Sequence, residues 1–425
     1  MTTADSALGA APAARRLSGR QHTALAAYWF GLYFLFTPVG ASLTATQIDD
    51  IVPGGRQQVA QGLLLGAGAF FATVLPPLVG AWSDRMSTRW GRRRPIVLGG
   101  TVVTVLSLLV MMTASTYQQL LLGYVAVQIG SNAAGAAYSG LIPDVVAADE
   151  VGRASGALST MVLLGSAGGL GANVLFAAVH AARLTYVAIA AVLVAVMVPT
   201  LRVTRGEGRT PARPPATGTA RQRAAAFLRP LRGGDFAWVV GTRMLITAGI
   251  STISPFTFYF FRDVVGVSNP DLFNPVWLLV VLAFAAPLGF AGGRLSDRHG
   301  RKRFVYASGG LQAFVAVVFI ALYPTAVPLV LALGAVYGVG YGLYIAVDWA
   351  LACDTLPQRD ASAKDMGLFH VALSLPGNIV PAVAGLVLSA VNAHQANAGY
   401  RVVFSFAIVF FLLGTVLVRR VRSVR

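Results

Sequence analysis

A chain of 425 residues that is 56% hydrophobic and only 12% charged, with mean hydropathy +0.68, is solvated by lipid, since a soluble domain carries about 25% charged residues. Its net charge of +17 would suit a nucleic-acid binder, but the basic residues sit in short segments between apolar runs, without an aromatic-interleaved basic domain, which excludes that class. The single cysteine, Cys353, excludes an intrachain disulfide and a cysteine-based metal cluster, and with no G-x-x-x-x-G-K-[ST] phosphate loop in the chain no cofactor is expected.

Residues 1–23 are small, polar and basic and read as a cytoplasmic tail. They lack an apolar stretch ending in a cleavage site, and "RRLSGR" resembles a twin-arginine signal only faintly. Apolar runs follow at roughly 24–48, 57–82, 94–116, 118–142, 154–179, 184–201, 236–261, 272–295, 304–323, 326–353, 365–392 and 399–418. Each is long enough to cross about 30 Å of hydrocarbon as a helix, the form that satisfies its own backbone hydrogen bonds there. Placing the N-terminus inside puts 28 of the 33 Lys and Arg in the cytoplasm and four (Arg56, Arg183, Arg262, Arg401) outside, with Arg243 within a span. That bias predicts both termini in the cytoplasm and a multi-pass protein of a cell membrane, expected to be a bacterial inner membrane.

An Arg-, Pro- and Gly-rich linker, 202–234, separates an N-terminal half, 24–201, from a C-terminal half, 235–418, and 419–425 form a second cytoplasmic tail. The halves repeat. "GAWSDRMSTRWGRRRP" from Gly80 follows helix 2 and "GGRLSDRHGRKR" from Gly292 follows helix 8, so that Gly80, Asp84 and Arg85 align with Gly293, Asp297 and Arg298 at an offset of 213. The next loops on that side align Asp144 with Asp354 at an offset of 210. The fold class expected is an all-α membrane protein with twelve transmembrane helices in two pseudo-symmetric six-helix halves.

Two such halves, a long central loop and a G-x-x-x-D-R…G-R-[RK]-[RK] hairpin after helices 2 and 8 resemble the major facilitator superfamily over nearly the whole chain. The first hairpin carries four extra residues between Arg85 and Gly91. In that form it is similar to the sucrose/proton symporters and the wider glycoside-pentoside-hexuronide cation symporters, as are "VDWALACDTLP" and "AKDMGLFHVALSLP". The resemblance implies a monomeric secondary transporter, not an enzyme, that moves a small molecule such as a sugar or glycoside across the bilayer with a proton or sodium ion. Asn132 and Asp144 fit the sucrose-carrier pattern, but Gln128 stands where it has a proton-carrying Asp and Ser139 where it has an Arg. A coupling proton would therefore ride elsewhere. Helix 5, "LLGSAGGLGANV" with Gly165 and Gly169, partly resembles the glycine- and proline-rich helix of drug/proton antiporters but lacks the proline. Efflux of a drug or metabolite stays open, as does a non-transporting membrane sensor.

Polar residues recur at helical spacing: Tyr33, Thr37 and Thr44 on helix 1; Gln128, Asn132 and Ser139 on helix 4; Arg243, Thr247 and Ser254 on helix 7. Helix 10 adds Tyr337, Tyr341, Tyr344 and Asp348, and helix 11 adds His370, Ser374 and Asn378. Steps of three, four or seven put each set on one face. The resemblance implies that helices 1, 4, 7 and 10 line a central path. It also implies that Gly80, Asp84, Arg85, Asp144, Arg153, Gly293, Asp297, Arg298 and Asp354 latch one face of an alternating-access cycle. Arg243 and Asp348 stand apart, because a charge within the membrane costs roughly 2.5–3.5 kcal/mol and marks a pathway, a relay or a pair. Counted from helix ends near Asp235 and Asp354 at about 1.5 Å per residue, they lie roughly 12 Å and 9 Å deep, and the matched depths predict an ion pair.

Overall fold

The computed structural model describes residues 17–83, 86, 88, 90–146, 151–204, 229–355 and 362–423. Twelve of its helices are long and apolar enough to cross a membrane, and the described residues include no strand. In the first half these are α1 (Gly19–Ile51), α2 (Gln57–Ser83), α3 (Arg94–Thr113), α4 (Tyr117–Val145), α5 (Val151–Ala178) and α6 (Leu184–Val203). In the second they are α7 (Asp235–Val265), α8 (Pro270–His299), α9 (Arg301–Leu322), α10 (Val327–Asp354), α11 (Ser362–His394) and α12 (Ala398–Leu417). Most of the linker, 205–228, and residues 1–16 fall outside the described residues.

Two ends depart from the expected boundaries for local reasons. The first helix starts five residues before position 24, because Ser18 caps it. The Ser18 hydroxyl accepts from the Gln21 amide at 3.4 Å while the Gln21 side chain accepts from the Ser18 amide at 2.9 Å, a capping box that moves 19–23 out of the tail. Helix α8 runs unbroken to His299, so Asp297 and Arg298 are helical. Gly300 alone, at φ +90°, turns the chain into α9, a conformation that costs glycine little.

The packing repeats after six helices. In the first half α1 packs on α5 and α6, α2 on α4, and α3 on α4 and α6. In the second α7 packs on α11 and α12, α8 on α10, and α9 on α10 and α12. Across the halves α2 meets α11 and α5 meets α8, contacts that exchange under the same operation. Each half buries its own apolar core, one around Tyr28, Tyr138 and Tyr186, the other around Phe260, Phe319 and Phe404. The leading helix of each half is interrupted: α1 carries a π-turn at Val39–Leu43 directly after Pro38, and α7 carries a 3-10 turn at Ser254–Phe256 and a π-turn at Phe261–Val265. Proline removes an amide donor from the ladder, which accounts for the breaks at Pro38 and Pro255. Gly165 and Gly169 do what small residues four apart do in lipid. A Cβ at either would lie 2.3 Å from the Phe30 carbonyl oxygen or 2.5 Å from that of Phe34, so they let α5 lie against α1.

Candidate functional site

Twelve crossings leave both ends of the described chain on one face, the terminal face. The opposite face is sealed by side chains from both halves. Arg262 on α7 pairs with Asp49 on α1 and with Asp263 Oδ1 at 2.6 Å. Asp263 Oδ2 accepts from the Tyr400 hydroxyl of α12 at 2.6 Å and from Gln58 Nε2 of α2 at 3.3 Å. Asn274 of α8 donates to the Ala41 carbonyl of α1 at 2.9 Å. Below this network α2 and α11 touch backbone to backbone: a Cβ at Gly62 would lie 2.5 Å from the Pro381 carbonyl oxygen, and one at Gly385 the same distance from that of Gln58. A Cβ at Gly80, near the other end of α2, would meet nothing within 4 Å among the described residues.

Between the halves lies a cavity of about 260 Å³, walled by α1, α5, α7, α8 and α10. Tyr33, Thr37, Ser254, Tyr337 and Tyr341, five of the residues singled out from the sequence, line it together with Trp277 and Ser166. A second cavity of about 280 Å³ lies between α2, α4, α7 and α11, with Tyr124 and Gln128 in its wall. Ile250 and Ser254 of α7 face both cavities.

Arg243 and Asp348 meet. Nη1 of the arginine is 2.5 Å from Oδ2 of the aspartate, and the Tyr344 hydroxyl donates to Oδ1 at 2.8 Å. The guanidinium lies over the Phe369 ring of α11, 3.8 Å from its centroid, which adds a cation–π contact to the carboxylate. Arg243 Nε is buried without a hydrogen-bond partner among the described residues. Asp348 is seven residues, about 10 Å along α10, from the cavity-lining Tyr341. The pair thus lies between the cavity and the terminal face.

This architecture has relatives. The family described as Major Facilitator Superfamily matches residues 23–364 and again 277–425. The chain belongs to the major facilitator superfamily. Among solved structures it is similar to a bacterial homolog of the human lysosomal transporter Spinster, inward-facing and unoccupied (TM-score 0.70, 17% identity, 94% of this chain and 95% of that one). It is also similar to the nucleoside transporter NupG (TM-score 0.67, 13% identity, 94% and 98% of the two chains). At those identities the likeness is one of fold. A curated relative, the uncharacterized protein YqgE of Bacillus subtilis (strain 168), is 35% identical over 133 residues, 30% of this chain and 29% of that protein. The chain therefore matches under a third of that relative's length. Superfamily and structural neighbours are transporters, not enzymes.

The remaining expected residues of this superfamily member divide three ways. Asn132 does not line either cavity, because its amide is spent on Gln128, donating to Oε1 at 2.8 Å. Thr247 is buried with an unpartnered hydroxyl, and Thr44 is turned into the packing by bonds to the Val39 carbonyl and Gln61. Ser139 is exposed and bonds back to the Gly135 carbonyl at 2.8 Å. Of the latch set, Asp354 pairs with Arg301 at 2.7 Å, tying the end of α10 to the start of α9, and Arg298 is exposed. Asp84 and Arg85 lie outside the described residues. Gly293 falls within α8, and the side chains of Asp144, Arg153, Asp297, His370 and Asn378 are likewise outside the described set.

Sequence reasoning missed the sealed face. Asp49, Gln58, Arg262, Asp263 and Tyr400 were not among its candidates, and Arg262 counted only toward topology. The available signal was that Asp49-Asp50 and Arg262-Asp263 end helices 1 and 7, which are equivalent.

Proposed function

We propose that the chain is an alternating-access secondary transporter that moves one small solute through the cavity between its halves, driven by a proton or sodium gradient, in a cell membrane with both termini in the cytoplasm. The observation that carries this reading is a cavity between the two halves that a side-chain network closes off from one face. Side chains of α1, α2, α7 and α12 close that face, and helices of both halves wall the cavity beneath it. That seal consists of side-chain contacts at helix ends, which can separate while every helix stays intact, as rocking of two rigid halves requires.

Gradient coupling is supported by Asp348. Among the described residues it is the carboxylate set deepest in a spanning helix, and a carboxylate is the group that can take up and release a cation there. Its pairing with Arg243 makes such an exchange depend on breaking the pair. The first hairpin's likeness to sugar symporters is not matched by the cavity wall, whose polar groups are few for a polyhydroxylated ring.

Reconstitution tests the reading. Proteoliposomes with an imposed proton or sodium gradient should accumulate a labelled solute against its own gradient and exchange it in counterflow. A sensor that has kept the fold would bind solute without flux. An impermeant maleimide added outside cells should label Arg56→Cys, and labelling of that site only from the cytoplasm would reverse the orientation.

A further inference from the structure

The cavity between α1, α5, α7, α8 and α10 also constrains what it can hold. Among the described residues its wall contains no Asp, Glu, Lys, Arg or His. A charged solute would exchange its water shell for apolar surface there with nothing to compensate. The two charges of the Arg243–Asp348 pair beneath it offset one another, so the pair contributes no net charge. Four aromatic side chains, Tyr33, Trp277, Tyr337 and Tyr341, face the space together with aliphatic ones from α5, α7 and α8. Such walls favour flat, ring-bearing molecules.

The polar groups are few, and some are already spent. Thr37 donates to Ser166 at 2.9 Å, so these two hydroxyls largely satisfy one another. The Tyr337 hydroxyl has no hydrogen-bond partner among the described residues but is fully buried, so it presents no accessible surface to a solute. By contrast, Tyr33 and Tyr341 line the cavity and neither hydroxyl has a hydrogen-bond partner among the described residues. One comes from the N-terminal half and the other from the C-terminal half, so a ligand bonded to both would report its presence to each. A sugar carries a hydroxyl on nearly every carbon and would leave most of them unpaired against this wall, a loss for each.

Resting on the transporter reading above, we propose that the cavity takes an uncharged, mainly apolar, ring-bearing solute whose one or two hydrogen-bonding groups are held between the Tyr33 and Tyr341 hydroxyls.

The test uses the purified full-length protein in detergent micelles with three probes: 2-naphthol, naphthalene-2-sulfonate and sucrose. Binding is read from the concentration dependence of the melting midpoint. The expected result is saturable stabilisation by 2-naphthol, and none by the sulfonate or sucrose over the same range. Tyr341→Phe should keep the parent's melting midpoint without ligand, since no protein partner is lost, and should weaken 2-naphthol about tenfold, the effect of one hydrogen bond. Tyr33→Phe should do the same, and its agreement guards against a folding effect of either variant. Partition of 2-naphthol into micelles would affect parent and variants alike. The proposal is overturned if sucrose or the sulfonate stabilises at lower concentration than 2-naphthol, if 2-naphthol does not stabilise, or if both variants bind it like the parent. Failure of the transporter reading looks different. Spin labels at Arg56→Cys and His394→Cys, in a Cys353→Ser background, would then show one unchanging distance across the sealed face with and without 2-naphthol.

Discussion

Replacing Arg243 with Gln leaves the Asp348 carboxylate in the membrane with the Tyr344 hydroxyl as its remaining described partner, and the size of the penalty follows from how little water reaches it. The side chains of Arg243 and Asp348 are 7% and 14% exposed, so neither charge can recover its hydration when the other is removed. Breaking a buried pair costs about 3–5 kcal/mol, and a lone charge in mid-membrane roughly 2.5–3.5 kcal/mol. About 3 kcal/mol is therefore expected for Arg243→Gln. Asp348→Asn should cost less, roughly 2 kcal/mol, because the stranded guanidinium keeps the face of Phe369, 3.8 Å away, an interaction worth about 0.5–2 kcal/mol. The double variant removes both charges and leaves two amides able to bond each other and Tyr344, so it should be more stable than either single variant. The implied coupling energy exceeds about 3 kcal/mol. Denaturant titration of the four proteins in mixed micelles measures it, and solute flux in proteoliposomes should rank them in the same order. Losses that add within about 0.5 kcal/mol would show that the two charges act independently, and the ion-pair argument would be wrong.

Arg262→Gln removes the centre of the sealed-face network. Its side chain is 26% exposed and that of Asp49 28%, so the contact is discounted for solvent to about 1 kcal/mol and should raise outside labelling of Ala41→Cys about fivefold; an unchanged rate would mean that Arg262 does not hold the face shut. Gly62→Val should express and insert yet fail to transport, because a side chain 2.5 Å from the Pro381 carbonyl oxygen prevents closure of α2 on α11; wild-type flux would show that the two helices need not approach. Gln128→Asp should not create proton-coupled flux, since Ser139 bonds back to its own helix and supplies no cation to that face; alkalinisation of the outer medium driven by solute would refute this. Ser18→Ala should cost about 1 kcal/mol of stability by opening the capping box, and an unaltered denaturation midpoint would contradict it.

What the sequence discloses depends on whether the deciding energy is local. Arg243 and Asp348 were legible because a charge in lipid is costly wherever it sits, and helix rise alone put them at one depth. The repeat was legible because Asp84 and Asp297 carry their own surroundings with them. The seal was not, because Asp49 and Arg262 stand 213 residues apart in different halves, and at a helix end each looks like a solvated charge. Polar stripes gave the face of a helix without saying where a hydroxyl or amide is spent. Thr37 faces the cavity and yet is committed to Ser166, and Asn132 is committed to Gln128. Tyr33 and Tyr341 share those stripes and remain uncommitted. The distinction that bears on cargo is thus made by packing between helices: of the polar residues a sequence offers, those that neighbouring helices leave unsatisfied are the ones a solute can use. Among the described residues they include two phenols from opposite halves, and a ligand that satisfies both is stabilised only while the halves hold them together, which is the differential binding that lets a solute bias one arrangement of the halves over another.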